Sequence, residues 1–307
     1  MFNQPLEPRE QKSTVSTSVT DNILAVNNLT KHFKDFSLQN VSFLLPHGYI
    51  MGFIGPNGSG KSTTIKLIMN LLHKDGGQIK VFGLDNLQHE LAVKDCIGFV
   101  FDENHYYEEL SIRDMARIVA SFYKHWESQT FDKCLKDFDL NPKQKIKQLS
   151  KGMKMKFSLA VALSHGAELL IMDEPTSGLD PMVRSELLEI LATLIQDESK
   201  SVFFSTHITS DLDKIADFVT FINHGEIVMS AAKDDILEKY GVVKGASDML
   251  DAETKSLFVG IKTNKFGFEG LVRDKEKAHR HFKERAIIEK PTLEDIMIYT
   301  VKGEQHG

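Results

Sequence analysis

The sequence predicts an α/β protein: a parallel sheet with helices on both faces, a short antiparallel β region before it and a smaller α+β unit after it. Three observations carry this. Short, mainly apolar runs recur at 49–54, 97–101, 169–172, 201–205 and 219–223, and strands apolar on both faces sit inside parallel sheets. Helical-period segments separate several of them, the alternation a parallel sheet requires. After about residue 240 the runs change to 257–262, 267–272 and 286–289, which read as strands of a separate small unit.

The elements follow in order. Residues 1–21 are polar, with a Ser/Thr run from Ser13 to Thr20, and are expected to be a mobile tail. Strands at 23–26 and 36–45 open the folded part. The buried strand 49–54 runs into glycine-rich residues and then a helix, 63–72. A strand at 78–82 follows the Gly76-Gly77 turn. A helical insertion, about 103–158, then interrupts the alternation. Ser111, with Asp114 three residues on, has the form of a capping box. Met115, Ile118, Val119, Phe122 and Trp126 recur at helical spacing, as do Phe131, Leu135 and Phe138 until Asn141-Pro142. A helix from Ser150 to about 164, helices at 184–197 and 211–216, and a His224-Gly225 turn complete the pattern. Thr292, after Pro291 and three before Asp295, caps a final helix. The expected organisation is a tail over 1–21, a main domain over 22–235 and an appendage over 240–307, with no internal repeat.

Composition bounds the function. The 307 residues, 41% hydrophobic and 26% charged, suit a globular chain with a sizeable core. A formal charge of −6 argues against a dedicated nucleic-acid binder. Two cysteines, Cys96 and Cys134, cannot build a disulfide framework or a cysteine-based zinc site, and fit a reducing compartment. No stretch of 18 apolar residues and no signal-peptide layout is present, so a cytoplasmic chain without its own membrane span is expected. His279 and His281 are expected on solvated surface rather than on a metal.

The strongest motif is Gly55-Pro56-Asn57-Gly58-Ser59-Gly60-Lys61-Ser62-Thr63, which fits G-x-x-x-x-G-K-[ST] between a buried strand and a helix. Glycines let backbone N–H groups curl around phosphates, and the helix N-terminus adds partial positive charge. Lys61 then reaches the β- and γ-phosphates and the Ser62 hydroxyl ligates Mg²⁺. The run 169–172 ends in Asp173-Glu174-Pro175. An apolar strand ending in Asp is the Mg²⁺-holding element of phosphate-loop NTPases, and Glu174 beside a γ-phosphate can polarise an attacking water.

Leu149-Ser150-Lys151-Gly152-Met153 lies between these two motifs. Here the ordered set, over roughly 23–230, resembles the ATP-binding cassette (ABC) ATPase family. The family signature resembles Leu-Ser-Gly-Gly-Gln, of which Leu149, Ser150 and Gly152 match. Ser177-Gly178-Leu179-Asp180 resembles the D-loop that crosses the family's dimer interface. His207, in Ser205-Thr206-His207, resembles the switch histidine. Phe33 stands where the family usually has an adenine-stacking Tyr, and any aromatic face can stack. Asp102, followed by Glu103, replaces the Gln that helps hold Mg²⁺ and links to the membrane partner.

The resemblance implies a phosphate-loop NTPase fold: an N-terminal antiparallel β subdomain, a RecA-like parallel-sheet core and a helical subdomain, here with the α+β appendage. It implies ATP and Mg²⁺ as ligands, with Ser62, Asp173 and Asp102 on the metal. It implies a second ABC ATPase subunit, as homodimer or heterodimer, whose signature (Ser150, Gly152) and Asp180 complete the opposite site. Catalysis would fall to Glu174, Lys61 and His207. A single cassette without a span implies a separate polytopic membrane permease and a place on the cytoplasmic face of the membrane. The motif style, including Pro291-Thr292-Leu293-Glu294-Asp295, is similar to the bacitracin-resistance and acetoin-operon type of exporter ATPase. A soluble ABC ATPase without a transport role and an importer ATPase are the alternatives. The acidic, aromatic loop 102–110, with Tyr106, Tyr107, Glu108 and Glu109, is the expected permease-docking surface.

Overall fold

The computed structural model describes residues 22–101 and 106–303, so the expected tail and Asp102 fall outside the described residues. The first sheet takes β1 (Asn22–His32) and β2 (Ser37–Pro46), an antiparallel pair. β3 (Ile50–Ile54) starts the parallel sheet and leads into α1 (Lys61–Ile68). β4 (Gly76–Val81) and the short β5 (Leu84–Asp85) return to the first sheet, in the order β2-β1-β4-β5. α2 (Glu90–Asp95) precedes β6 (Ile97–Val100). The helical insertion is α3 (Ile112–Ala120), α4 (Ser128–Asp137) and α5 (Lys151–Ser164).

The alternation then resumes with β7 (Leu169–Met172), α6 (Pro181–Leu194), β8 (Ser201–Thr206), α7 (Thr209–Ile215) and β9 (Phe218–Asn223). β10 (Glu226–Ala232) closes the second sheet as a hairpin with β9. Its order is β10-β9-β3-β8-β7-β6, with β9, β3, β8, β7 and β6 parallel. α8 (Lys233–Lys239) leads to the third sheet, whose strands β11 (Gly241–Gly245), β12 (Phe258–Asn264), β13 (Gly267–Val272) and β14 (Ile287–Glu289) are joined through α9 (Ala252–Lys255) and α10 (Lys275–Phe282). That sheet is antiparallel, ordered β12-β13-β11-β14, and α11 (Leu293–Gly303) follows it.

The two apolar faces of the parallel strands serve different cores. Leu169 and Ile171 of β7 join the cluster under the first sheet, while Leu170 and Met172 join the cluster under the helices. β3 divides the same way, with Met51 and Phe53 on one side and Ile50 and Ile54 on the other. Side chains alternate along a strand, so a strand covered on both faces must be apolar throughout. Phe43 of β2 stacks on Phe203 of β8 with ring centroids 5.5 Å apart, which joins the first two sheets.

Several boundaries differ from the sequence reading. α1 begins inside the glycine motif and stops at Ile68, with Asn70 in the left-handed region (φ 53°). α6 begins at Pro181, three residues earlier than expected, because the Asp180 carboxylate accepts from the Met182 and Val183 amides, each at 3.1 Å. Pro at the first helical position after Asp is a start signal the apolar periodicity overrode. Thr292 and Asp295 cap α11 reciprocally: the Asp295 amide donates to Thr292 Oγ1 at 3.0 Å and the Thr292 amide to Asp295 Oδ2 at 2.9 Å.

The third sheet does not stand apart. Leu293, Ile296 and Tyr299 of α11 belong to one apolar cluster with Leu212 of α7 and with Val219 and Phe221 of β9. A side chain at Gly260 of β12 would meet the Tyr299 carbonyl oxygen at 2.5 Å, so strand and helix touch backbone to backbone. His281 is half-buried rather than on solvated surface, with Nε2 3.0 Å from Thr254 Oγ1.

Candidate nucleotide site

Four parallel strands end side by side at one edge: β3, β8, β7 and β6. Ligands of open α/β sheets bind outside such carboxyl ends. The loop after β3 is shaped by its glycines. Gly58 (φ 80°) and Gly60 (φ 113°) occupy the left-handed region. At Gly55 a Cβ would lie 2.2 Å from the Ile222 carbonyl oxygen. Gly60 precedes α1 without any side-chain cap, which leaves first-turn amides for an anion. Asn57 is exposed at the loop tip, Ser59 is buried and Thr63 half-buried on α1. The Ser59 hydroxyl has no hydrogen-bond partner among the described residues.

Lys61 is only 5% exposed. Its Nζ donates to the carbonyls of Gly55 (2.8 Å) and Pro56 (3.2 Å) and lies 3.2 Å from Glu174 Oε1. The ammonium is thus aimed across the loop at the carboxylate that ends β7. Ser62 Oγ donates to Asp173 Oδ1 at 3.1 Å. His207, after β8, has Nδ1 2.8 Å from the other Glu174 oxygen, Oε2. Glu174 itself sits in the left-handed region (φ 48°), a strained conformation for a residue with a Cβ.

Sequence reasoning missed Ser205. This fully buried residue of β8 donates to Asp173 Oδ1 at 2.6 Å and accepts from the Glu174 amide at 2.9 Å. One hydroxyl therefore fixes both acidic residues. Its sequence signal was a polar residue at the carboxyl end of a buried strand, directly before Thr206-His207.

The edge brings together Lys61, Ser62, Asp173, Glu174 and His207. Phe33 follows β1 and is 44% exposed, with the Lys31 ammonium 5.7 Å from its ring centroid. Its neighbour Phe36 packs toward Gly60, where a Cβ would lie 3.0 Å from Phe36 Cζ. Ser150, Gly152 and Asp180 form a second group. Ser150 caps α5 by accepting from the Met153 amide at 3.2 Å. A Cβ on Gly152 would come within 2.5 Å of Val183 Cγ1, so the signature turn abuts the first turn of α6 that Asp180 caps.

Of the loop expected to dock a partner, the described residues are 106–110, with Tyr106 and Leu110 partly buried and Tyr107, Glu108 and Glu109 exposed. Tyr106 donates its hydroxyl to Ser158 at 3.1 Å and sets its ring edge-on to Phe157, and burial pushes its phenol above the usual range. Glu109 pairs with Lys145 (3.2 Å) and Lys147 (2.8 Å), and Glu108 with Lys154 (3.6 Å). Lys147 and Lys145 hold the Glu109 carboxyl below its ordinary value. Tyr107 remains 67% exposed.

A divalent cation fits the donors present. Ser62 and Asp173 supply one hydroxyl and one carboxylate, hard oxygen ligands of the kind Mg²⁺ accepts alongside phosphates and water. Among the described residues no group of three or more His, Cys, Asp or Glu side chains would hold a metal by protein ligands alone. No helix among them is long and apolar enough to cross a membrane.

This sheet order, with a glycine loop after β3 and carboxylates after β7, defines a phosphate-loop NTPase. The family described as ABC transporter matches residues 38–177. The lantibiotic transport ATP-binding protein SrtF of Streptococcus pyogenes is 35% identical over 215 residues, which covers 69% of this chain and 92% of that protein. The bacitracin transport ATP-binding protein BcrA of Bacillus licheniformis is 30% identical over 220 residues, 71% of this chain and 72% of that one. Among solved structures, cbiO1 of Clostridium perfringens, part of the cbiONQ ABC transporter complex, matches in fold. Its TM-score is 0.63 at 24% identity, over 71% of this chain and 91% of that one. The chain belongs to the ABC transporter ATP-binding family, whose members hydrolyse ATP.

Proposed function

We infer that this chain is the ATP-hydrolysing subunit of an exporter and drives a separate membrane permease. The observation that carries it is the convergence of Lys61, Ser62, Asp173, Glu174 and His207 at one sheet edge. Lantibiotic and bacitracin transport proteins among its relatives support the exporter reading. The molecules expelled would be peptides, antibiotics or lipids, met by the permease and not by this chain.

The roles follow from the donors and acceptors. The loop amides of 55–60 and Lys61 bind and orient the phosphates. Ser62 and Asp173 would hold Mg²⁺, which would supply neutralisation of phosphate charge when bound. Phe33 offers a stacking face to adenine. Glu174 accepts the proton of the attacking water, and His207 steadies that carboxylate through Oε2. Ser150, Gly152 and Asp180 serve the site of a second ATPase subunit, so ATP joins the two and hydrolysis releases them. The cytoplasmic face of the membrane is the working place this implies.

Glu174→Gln tests it. The variant should bind ATP as the parent does, lose about 100- to 10,000-fold in turnover, and accumulate as a dimer with ATP. Size-exclusion chromatography with ATP, beside a phosphate-release assay, reads both. Parental turnover would remove Glu174 as the base.

A further inference from the structure

We propose that Asp211 is a positioning residue for the Glu174–His207 pair and ties that pair to the helix that follows the D-loop. This rests on the reading of Glu174 and His207 given above. Asp211 lies on α7, four residues after His207, and is fully buried. Its Oδ2 accepts from Thr176 Oγ1 at 2.6 Å. Thr176, 1% exposed, stands two residues after Glu174. Since His207 and Glu174 are themselves 2.8 Å apart, the Thr176–Asp211 bond closes a ring: Glu174 through Thr176 to Asp211, then back along α7 to His207.

The other carboxylate oxygen looks toward α6. Arg184 donates Nε to Asp211 Oδ1 at 2.6 Å, and its Nη2 donates to Ser210 Oγ at 2.7 Å. The Arg184 amide donates to the Asp180 carbonyl at 2.9 Å, within the turn that Asp180 caps. Both Asp211 oxygens are therefore committed, one to the loop after β7 and one to α6. A buried carboxylate with a single charged partner is costly to leave half-bonded, so the three elements hold one arrangement or shift together. The polar partners of Asp211 are Thr176 and Arg184, not Lys61 or the glycine loop, so its effect passes through the pair it frames. A reacting pair misplaced by about 1 Å can lose about 100-fold in rate.

Thr176→Val isolates the bond, because it removes one hydroxyl, preserves volume and leaves the Asp211–Arg184 contact. In the full chain, kcat should fall about 10- to 100-fold. KM for ATP and affinity for a fluorescent ATP analogue should change less than about threefold, because neither group meets the nucleotide. Thr176→Ser, which restores the hydroxyl, should return kcat to within about threefold of the parent. In Asp211→Ala, adding Thr176→Val should cost no further kcat, as expected of two groups acting through one bond. Thr176→Ala, smaller in the same pocket, substitutes should the valine variant not fold. Parental kcat in the valine or alanine variant overturns the proposal, as does an equal loss of nucleotide affinity. Glu174→Gln measured alongside separates the causes: if it is inactive while Thr176→Val is parental, only the positioning role fails. If Glu174→Gln is itself parental, the reading beneath it fails.

Discussion

The parallel sheet and the C-terminal antiparallel sheet use charge in opposite ways. At the carboxyl edge of the first, Lys61 and Ser205 are buried and Glu174 is largely covered, and they bond chiefly to one another and to backbone. On the second, Lys244 reaches Glu289 at 2.7 Å and Glu269 at 3.8 Å on an open face where all three are well exposed. A buried polar group that loses its partner carries its full desolvation cost, whereas an exposed ion pair contributes little. The first edge is thus rigid and specific, and the second surface is tolerant. Among the described residues, α11 lies on α7 where the two sheets approach, and its Leu293, Ile296 and Tyr299 share one apolar cluster with Leu212.

The largest expected effect lies at that meeting point. Ile296→Ala should lower stability by about 2–5 kcal/mol and shift a single unfolding transition seen by calorimetry. Two separate transitions, with the nucleotide edge unfolding at the parental temperature, would show that the sheets are independent bodies.

A smaller effect sharpens the contrast in polarity. Ser205→Ala removes the hydroxyl between Asp173 and the Glu174 amide and should cost about 1–3 kcal/mol together with turnover. Lys244→Ala, on the exposed face, should leave both the unfolding midpoint and turnover unchanged. Equal losses in the two variants would break the comparison.

The smallest effect is one of pH. Burial pushes the Asp213 carboxyl of α7 above its ordinary value, with Lys233 opposing and Glu294 of α11 adding to the rise. A carboxyl raised in the folded state favours folding while protonated. Its contribution is complete below the ordinary carboxylate value and is lost as pH rises through the raised one. Asp213→Asn should flatten the stability–pH curve over that window and slightly raise the midpoint at neutral pH. A parallel curve for parent and variant would place no strain at this joint.

What could be read from the sequence follows the same division. Gly55, Gly58 and Gly60, Lys61, Ser62, Asp173 and Glu174 were legible because phosphate chemistry fixes both residue type and spacing. The strands around them were legible because burial on both faces leaves no polar position. Ser205, Thr176 and Asp211 were not, since a serine, a threonine and an aspartate far apart in sequence acquire meaning only when β7, β8 and α7 are neighbours. The partners of Glu108 and Glu109 were not legible either: Lys145 and Lys147 lie in the segment before α5 and Lys154 in its first turn, far enough along the chain that only the fold brings them to the pair. The start of α6 was misplaced because a capping Asp was read only as part of a motif.

The packing of α11 has a consequence for how the protein is made. Every loop of the catalytic edge is translated by residue 207, yet the helical side of its sheet is completed by Leu293, Ile296 and Tyr299. While the ribosome is still adding the third sheet, Leu212 and its neighbours on α7 lack this cover and present apolar surface to the cell. A nascent chain in that state is prone to association. The cover that α11 gives to the sheet carrying the catalytic edge is thus available only after the whole third sheet has been synthesised.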